Sequence, residues 1–202
     1  MSEHLAILGG TFDPIHVGHL AIAEDARWQL GLNRVFFVPA ARQPLKAHLH
    51  IATATDRLAM ARLATSDNPA FAVCDLEVRR GGRSYTVDTV TTLREEYPNA
   101  EFTFLAGADV VADLHRWRQI ERLLELCRFA FVGRPGYVID LERLYAAVPT
   151  ARDRVVMLEG PNLDISASEL RARCERGAPI RYQAPDAVLQ YIEAHGLYRA
   201  QT

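Results

Sequence analysis

Two histidines three positions apart, His16 and His19, follow a glycine pair in the segment Gly9-Gly10-Thr11-Phe12-Asp13-Pro14-Ile15-His16-Val17-Gly18-His19-Leu20. Residues i and i+3 on a first helical turn share a face, so both imidazoles would aim at one place. A helix beginning at His16–Gly18 adds free backbone N–H groups and the positive end of its dipole there. The glycines let the backbone approach a ligand closely and adopt conformations closed to other residues. Together these groups suit a polyphosphate. Simpler readings stand beside that one: Gly9-Gly10 as a tight turn, and His16 and His19 as structural or exposed side chains. The pair also has a spacing that could ligate a metal, but no nearby cysteine or HExxH-type glutamate supports it. The loop is neither GxxxxGK[ST] nor GxGxxG, so it is not a P-loop or a dinucleotide fingerprint.

A second group of oxyanion-binding residues lies far along the chain, in Asp164-Ile165-Ser166-Ala167-Ser168-Glu169-Leu170-Arg171. Ser166 reads as a helix N-cap with Glu169 as its capping-box partner. Two hydroxyls and an arginine at a helix start also suit phosphate oxygens. Three further segments carry candidate functional residues. Arg83-Ser84-Tyr85-Thr86-Val87-Asp88-Thr89 opens a helix, with a Ser or Thr cap as the plain alternative. Gly107-Ala108-Asp109, followed by Leu114-His115-Arg116-Trp117, places a carboxylate after a strand and an indole eight residues later. Asp109 is either a helix cap or a partner for ribose hydroxyls, and Trp117 either core or a stacking face for a planar, cationic ring. Pro39-Ala40-Ala41-Arg42-Gln43-Pro44-Leu45-Lys46 sets a lysine in a proline-stiffened loop.

These groups need a scaffold, and the hydrophobic pattern supplies one. Short β-branched or aromatic runs, read as strands, fall at Leu5–Leu8, Arg34–Val38, Ala72–Val78, Glu101–Leu105, Phe129–Val132 and Val155–Leu158. Longer amphipathic stretches, read as helices, fall at Val17–Leu30, Ala54–Thr65, Thr86–Tyr97, Gln119–Leu126, Asp140–Ala147, Ala167–Arg176 and Asp186–His195, the last ending at Gly196. Strand and helix in alternation imply an α/β fold: a Rossmann-like, doubly wound parallel sheet with helices on both faces. In such a sheet the loop leaving the first strand faces the ligand crevice. No repeat or linker divides the chain, so a single domain over 1–202 is expected, its C-terminal helical segment (about 166–202) carrying the second phosphate motif.

Composition narrows the class. The 202 residues are 49% hydrophobic and 24% charged, with a formal net charge of −2. Those proportions are ordinary for a folded chain, and the near-neutral charge argues against nucleic acid or an anionic membrane as partner. No apolar run approaches the ~20 residues of a membrane span. The start, MSEHLAILGGTFDP, has no signal-peptide pattern. Three widely spaced cysteines, Cys74, Cys127 and Cys174, suit reduced thiols in a cytoplasm better than a disulfide framework. The expected partners are small molecules, and the expected assembly a monomer or small homo-oligomer.

The segment Gly10-Thr11-Phe12-Asp13-Pro14-Ile15-His16-Val17-Gly18-His19 resembles the GxFxPxHxGH signature of the nucleotidylyltransferase superfamily, relatives of the class I aminoacyl-tRNA synthetases with their HIGH motif. Ser166–Arg171 resembles the superfamily's ISxTxxR element, with Ser168 where threonine is common. The resemblance implies transfer of a nucleotidyl group from a nucleoside triphosphate. His16, His19 and Arg171 would be catalytic, and Gly9, Gly10, Thr11, Phe12, Gly18, Ser166 and Ser168 would bind ATP. Mg²⁺ would accompany ATP, with no protein-held metal. The remaining segments resemble the bacterial nicotinate-nucleotide adenylyltransferase branch, which joins nicotinate mononucleotide to AMP in NAD synthesis. By that resemblance, backbone N–H groups around Tyr85 and Thr86 take the nicotinate carboxylate. Trp117 stacks on the pyridine, Asp109 lies by ribose, and Lys46 lies near phosphate in a PPHK-type element where Leu45 replaces the histidine. Arg134-Pro135-Gly136 resembles the RPG segment bordering adenosine, which makes Arg134 a further ATP-binding residue. Pantetheine-phosphate adenylyltransferases share the first loop but are usually shorter and lack the SYT segment and the G-x-D…W pair. Nicotinamide mononucleotide, a phosphopantetheine, or nucleotide binding without turnover stand as alternatives.

Overall fold

The structure is a computed structural model and describes residues 2–42, 52–133 and 140–200. Its strands are β1 (His4–Gly10), β2 (Arg34–Pro39), β3 (Phe71–Val73), β4 (Glu101–Gly107), β5 (Arg128–Val132) and β6 (Val155–Leu158). The helices are α1 (Val17–Leu30), α2 (Ala54–Thr65), α3 (Leu76–Arg80), α4 (Thr86–Glu96), α5 (Ile120–Leu126), α6 (Leu141–Ala147), α7 (Ala167–Glu175) and α8 (Asp186–Ala194). Two 3₁₀ segments, Ala108–Arg116 and Pro149–Ala151, complete the elements of the described residues.

The strands form one six-stranded sheet in the order β3-β2-β1-β4-β5-β6. β1 pairs in parallel with β4, β4 with β5, and β5 with β6, in registers such as Leu5↔Phe102, Phe104↔Phe129 and Phe131↔Met157. Successive strand residues point to opposite faces. Leu5, Ala6 and Ile7, and likewise Phe129, Ala130 and Phe131, are all 0% exposed, so both faces are covered there. Continuous apolar strands are what a parallel sheet with helices on each side requires, and the Rossmann-like expectation holds. The strand order reverses at β1, whose carboxyl end leads into the histidine loop.

Side-chain caps explain some of the helix starts. Thr53 caps α2 by accepting the Asp56 N–H at 3.1 Å, and Asp140 caps α6 by accepting the Arg143 N–H at 2.9 Å. α8 ends before Gly196, which takes φ +60. The expected strand Ala72–Val78 is corrected: β3 stops at Val73, and Leu76–Arg80 is helical. Alternation of Leu76 and Val78 mimics a strand. The Asp75 carboxylate instead accepts from Arg79 one turn on (2.8 Å) and from Arg62 (3.0 Å), an (i, i+4) pair that only a helix brings together.

The described residues fall into two compact units. The first draws on Met1–Gly9, Ile22–Phe36 and Tyr85–Asn162; the second on Gly10–Ala21, Phe37–Ser84 and Leu163–Thr202.

Candidate active site

In the second unit, the chain leaves β1 at Gly10, whose carbonyl accepts the Ala40 N–H at 2.8 Å. A Cβ on Gly10 would come within 2.8 Å of the Phe12 ring, so a side chain there would displace it. Phe12 adopts φ +51, in the left-handed region, yet is only 2% exposed. Its ring packs against Phe37 at 5.9 Å and meets His19 edge-on at 5.1 Å. Burial of the ring holds a backbone conformation that costs on the order of 1–3 kcal/mol.

The imidazoles of His16 and His19 lie face to face, with centroids 3.7 Å apart and planes at 31°. The His16 backbone N–H donates to Nδ1 of His19 at 3.2 Å. A ring nitrogen that accepts carries no proton, so neutral His19 holds its hydrogen on Nε2. That makes the ring a donor at Nε2, the form suited to an oxyanion. A Cβ on Gly18 would lie 3.0 Å from Nδ1 of His16, so this glycine makes room for the buried ring.

The second motif joins this loop. Ser166 caps α7 by accepting the Glu169 N–H at 3.2 Å. The Glu169 carboxylate pairs with Arg176 at 3.3 Å. Arg171 donates from Nη1 to the Asp13 carbonyl at 2.7 Å and from Nη2 to the Ser168 hydroxyl at 3.2 Å. Residues 158 positions apart are thereby brought to one place. The two histidines, two hydroxyls and arginine expected to grip phosphate therefore belong to one unit, with Arg171 bonded directly to the histidine loop.

Sequence reading missed the group that holds this loop. Arg57 of α2 is 1% exposed and donates to three carbonyls: Thr11 at 2.7 Å, Ala41 at 3.2 Å and Ala52 at 3.4 Å. Burial pulls its pKa down, and the Asp13 carboxylate opposes that shift. Asp13, also 1% exposed, accepts at Oδ1 from the Tyr198 hydroxyl (2.7 Å) and the Ala52 N–H (3.3 Å). An arginine inside an amphipathic helix and a tyrosine near the end of the chain gave no sequence signal; Asp13 was visible only as part of the motif.

Tyr198 gives a pH prediction. Burial first, and then the Asp13 carboxylate, push its phenol well above the ordinary value of 10.0. The folded state keeps the proton longer than the unfolded chain. The contribution is therefore complete below about pH 10 and is lost as pH rises through the higher folded value. Tyr198→Phe removes the hydroxyl donor from a buried carboxylate and should cost on the order of 1–3 kcal/mol at neutral pH. Urea unfolding at pH 8 and pH 11 checks both: the wild type loses stability across that interval, and the variant loses less. Equal losses would reject the assignment.

The first unit holds Gly9 and the acceptor candidates Tyr85, Thr86, Asp109 and Trp117. Gly9 is exposed and follows the buried run of β1, and a Cβ there would lie 3.1 Å from the Phe104 ring. Tyr85, not a serine or threonine, occupies the N-cap position of α4 and makes no side-chain cap bond; Thr86 is the first helical residue. In the second unit, the Ser84 hydroxyl accepts the Ala41 N–H at 2.9 Å instead of capping. Asp109 is exposed in the 3₁₀ segment after β4, which likewise has no side-chain cap, so its cap reading falls away. A Cβ on Gly107 would collide with the Asp109 carboxylate, and the glycine makes room for it. Trp117 is half-buried, edge-on to Phe104 at 5.6 Å and Phe129 at 5.9 Å. Lys46 and Arg134 lie outside the described residues.

Among the described residues, no group of three or more His, Cys, Asp or Glu side chains could hold a metal ion. The donors are imidazole, hydroxyl, guanidinium and backbone N–H, groups whose chemistry suits an anion. No helix among the described residues is long and apolar enough to cross a membrane.

The family model described as cytidylyltransferase-like matches residues 7–173 of the chain. A protein of Roseiflexus sp. (strain RS-1) named "Probable nicotinate-nucleotide adenylyltransferase" is 53% identical over 198 residues, covering 98% of this chain and 99% of that one. One of the same name from Herpetosiphon aurantiacus is 48% identical, covering 98% and 100%. The structure of Plasmodium falciparum nicotinic acid mononucleotide adenylyltransferase complexed with NaAD superposes with a TM-score of 0.79 at 22% identity, covering 97% of each chain. At that identity the likeness speaks for the fold.

Proposed function

The chain belongs to the cytidylyltransferase-like family, and from that membership we propose that it transfers the adenylyl group of ATP to nicotinate mononucleotide, giving deamido-NAD and pyrophosphate in NAD biosynthesis. Relatives named for that reaction, matched at 53% and 48% identity over nearly their whole length, support the choice of acceptor. The observation that supports the transfer chemistry is the Arg171–Asp13 bond, which joins the segment of one motif to the loop of the other.

In the reaction, an oxygen of the mononucleotide's 5′-phosphate attacks the α-phosphorus of ATP in line. One P–O bond forms as the bond to the bridging oxygen breaks, and pyrophosphate leaves with the electron pair. A phosphate monoester is already ionised near neutral pH, so no strong base is needed. Catalysis rests on positioning and on donors aimed at developing charge. His19 Nε2–H and His16 would donate to phosphate oxygens, and Ser166, Ser168 and Arg171 would hold the triphosphate. Gly9, Gly10, Thr11, Phe12 and Gly18 would shape the loop for ATP, with Arg134 bordering adenosine. Tyr85 and Thr86 would receive the ring carboxylate, Trp117 the ring, Asp109 ribose and Lys46 the acceptor phosphate. Mg²⁺ would arrive as the counterion of ATP, held by phosphates and water. Cytoplasmic residence fits Cys74, Cys127 and Cys174, none of which forms a disulfide. The partners in this reading are small molecules, without nucleic acid or membrane, and the assembly is a monomer or small homo-oligomer.

The test is pyrophosphate release from ATP and Mg²⁺ with nicotinate or nicotinamide mononucleotide. A preference for the nicotinate form of about 10²-fold or more in kcat/KM is expected, because donors that lose their carboxylate are left unpaired. Comparable rates would remove the roles of Tyr85 and Thr86. No release with either would send the acceptor assignment elsewhere.

A further inference from the structure

We propose that Arg118 sets the choice of a carboxylate-bearing ring over its uncharged amide by cancelling the charge of Asp88 at the start of α4. The proposal deepens the reading just given and rests on it, since it takes the first turn of α4 as the receptor for the ring carboxylate.

The geometry points to this residue. Arg118 follows Trp117 directly, and Gln119 then takes φ +52, the left-handed conformation, before α5 starts at Ile120. The guanidinium carbon of Arg118 stands 4.6 Å from the centroid of the Tyr85 ring. Its Nη1 lies 3.5 Å from Oδ2 of Asp88, in the first turn of α4. A cation is thus held over the tyrosine that opens the helix, next to the one acidic residue of that turn.

Asp88 suits the helix dipole, but it is poorly placed for an incoming anion. A carboxylate received by the first N–H groups of α4 would meet a like charge from Asp88. Arg118 offsets that charge and adds its own attraction. A carboxamide ring has no net charge and gains little from either effect. Charge at residue 118 therefore separates the two rings. Both side chains are about half exposed, 50% for Arg118 and 41% for Asp88, so salt should screen the effect.

Three variants test this: Arg118→Gln, Asp88→Asn and the double variant, each assayed for kcat/KM with both mononucleotides. Arg118→Gln should lower kcat/KM for the nicotinate form by about 10-fold, one decade of discrimination, and leave the nicotinamide form within about twofold. Adding Asp88→Asn should restore most of the loss, because the uncovered repulsion disappears. The wild-type preference should also fall between 50 and 500 mM NaCl. If Arg118 only clamps α4, both substrates lose activity together, Asp88→Asn restores nothing, and the proposal fails. An unchanged ratio in Arg118→Gln likewise overturns it. A wild type that ignores the nicotinate form would instead reject the functional reading beneath it, and the two failures are told apart by that single control.

Discussion

His19→Ala is expected to lower kcat by about 10²–10³, roughly 3–4 kcal/mol of transition-state stabilisation, as for other single donors to developing oxyanions. The size follows from the tautomer. Nδ1 of His19 is occupied by the His16 backbone N–H, so the ring's remaining donor is Nε2–H, and alanine removes it outright. Fold and unfolding midpoint should stay close to wild type, since His19 is only partly buried and the loop keeps its ties through Arg57 and Arg171. His19→Asn retains an N–H donor and should recover part of the rate. Steady-state pyrophosphate release at saturating substrates, with circular dichroism as the control for folding, decides the matter. Near-wild-type turnover in His19→Ala would mean that the first loop is not the catalytic element.

Arg57→Met should be the most damaging change away from the reacting groups. Methionine fills much of the volume but strands the carbonyls of Thr11, Ala41 and Ala52, and removes the Arg57 charge that faces the buried Asp13 carboxylate. Removing one member of a buried charged network typically costs on the order of 3–5 kcal/mol. That is a large share of the ~5–15 kcal/mol holding a domain together. The loss should appear as a lowered urea midpoint with an unchanged m-value. Activity should fall too, because a displacement of about 1 Å in the histidine loop can cost 10²-fold. Arg57→Lys keeps the charge but cannot reach all three carbonyls, so it should lie in between. A midpoint unmoved by Arg57→Met would show that other bonds hold the loop.

Legibility in the sequence followed the range of the interaction. The histidine loop could be read because its chemistry is local: glycines, a helix start and two imidazoles within one turn. Most strands and helices were visible for the same reason, as runs with a period of two or of 3.6 residues. α3 was misread because five residues are too few to show a period, and its stabilising pairs reach from Asp75 to Arg62 and Arg79. The 3₁₀ segment Ala108–Arg116 was also missed, lying where the sequence offers only candidate site residues and no periodic run.

By itself, the sequence determined the fold class, the two motifs expected to bind phosphate and the chemistry their residue types can perform, because each depends on neighbours along the chain. Only the tertiary structure decided how those motifs are held. Arg171 meets the Asp13 carbonyl, Arg57 gathers three carbonyls, and the Tyr198 hydroxyl reaches a carboxylate 185 residues away. It also set the His16 backbone N–H against Nδ1 of His19 and the Arg118 charge beside Asp88. The physical reason is common to all of these. A buried donor or charge must find its partner wherever folding brings one, and no spacing in the sequence encodes a partner found through space.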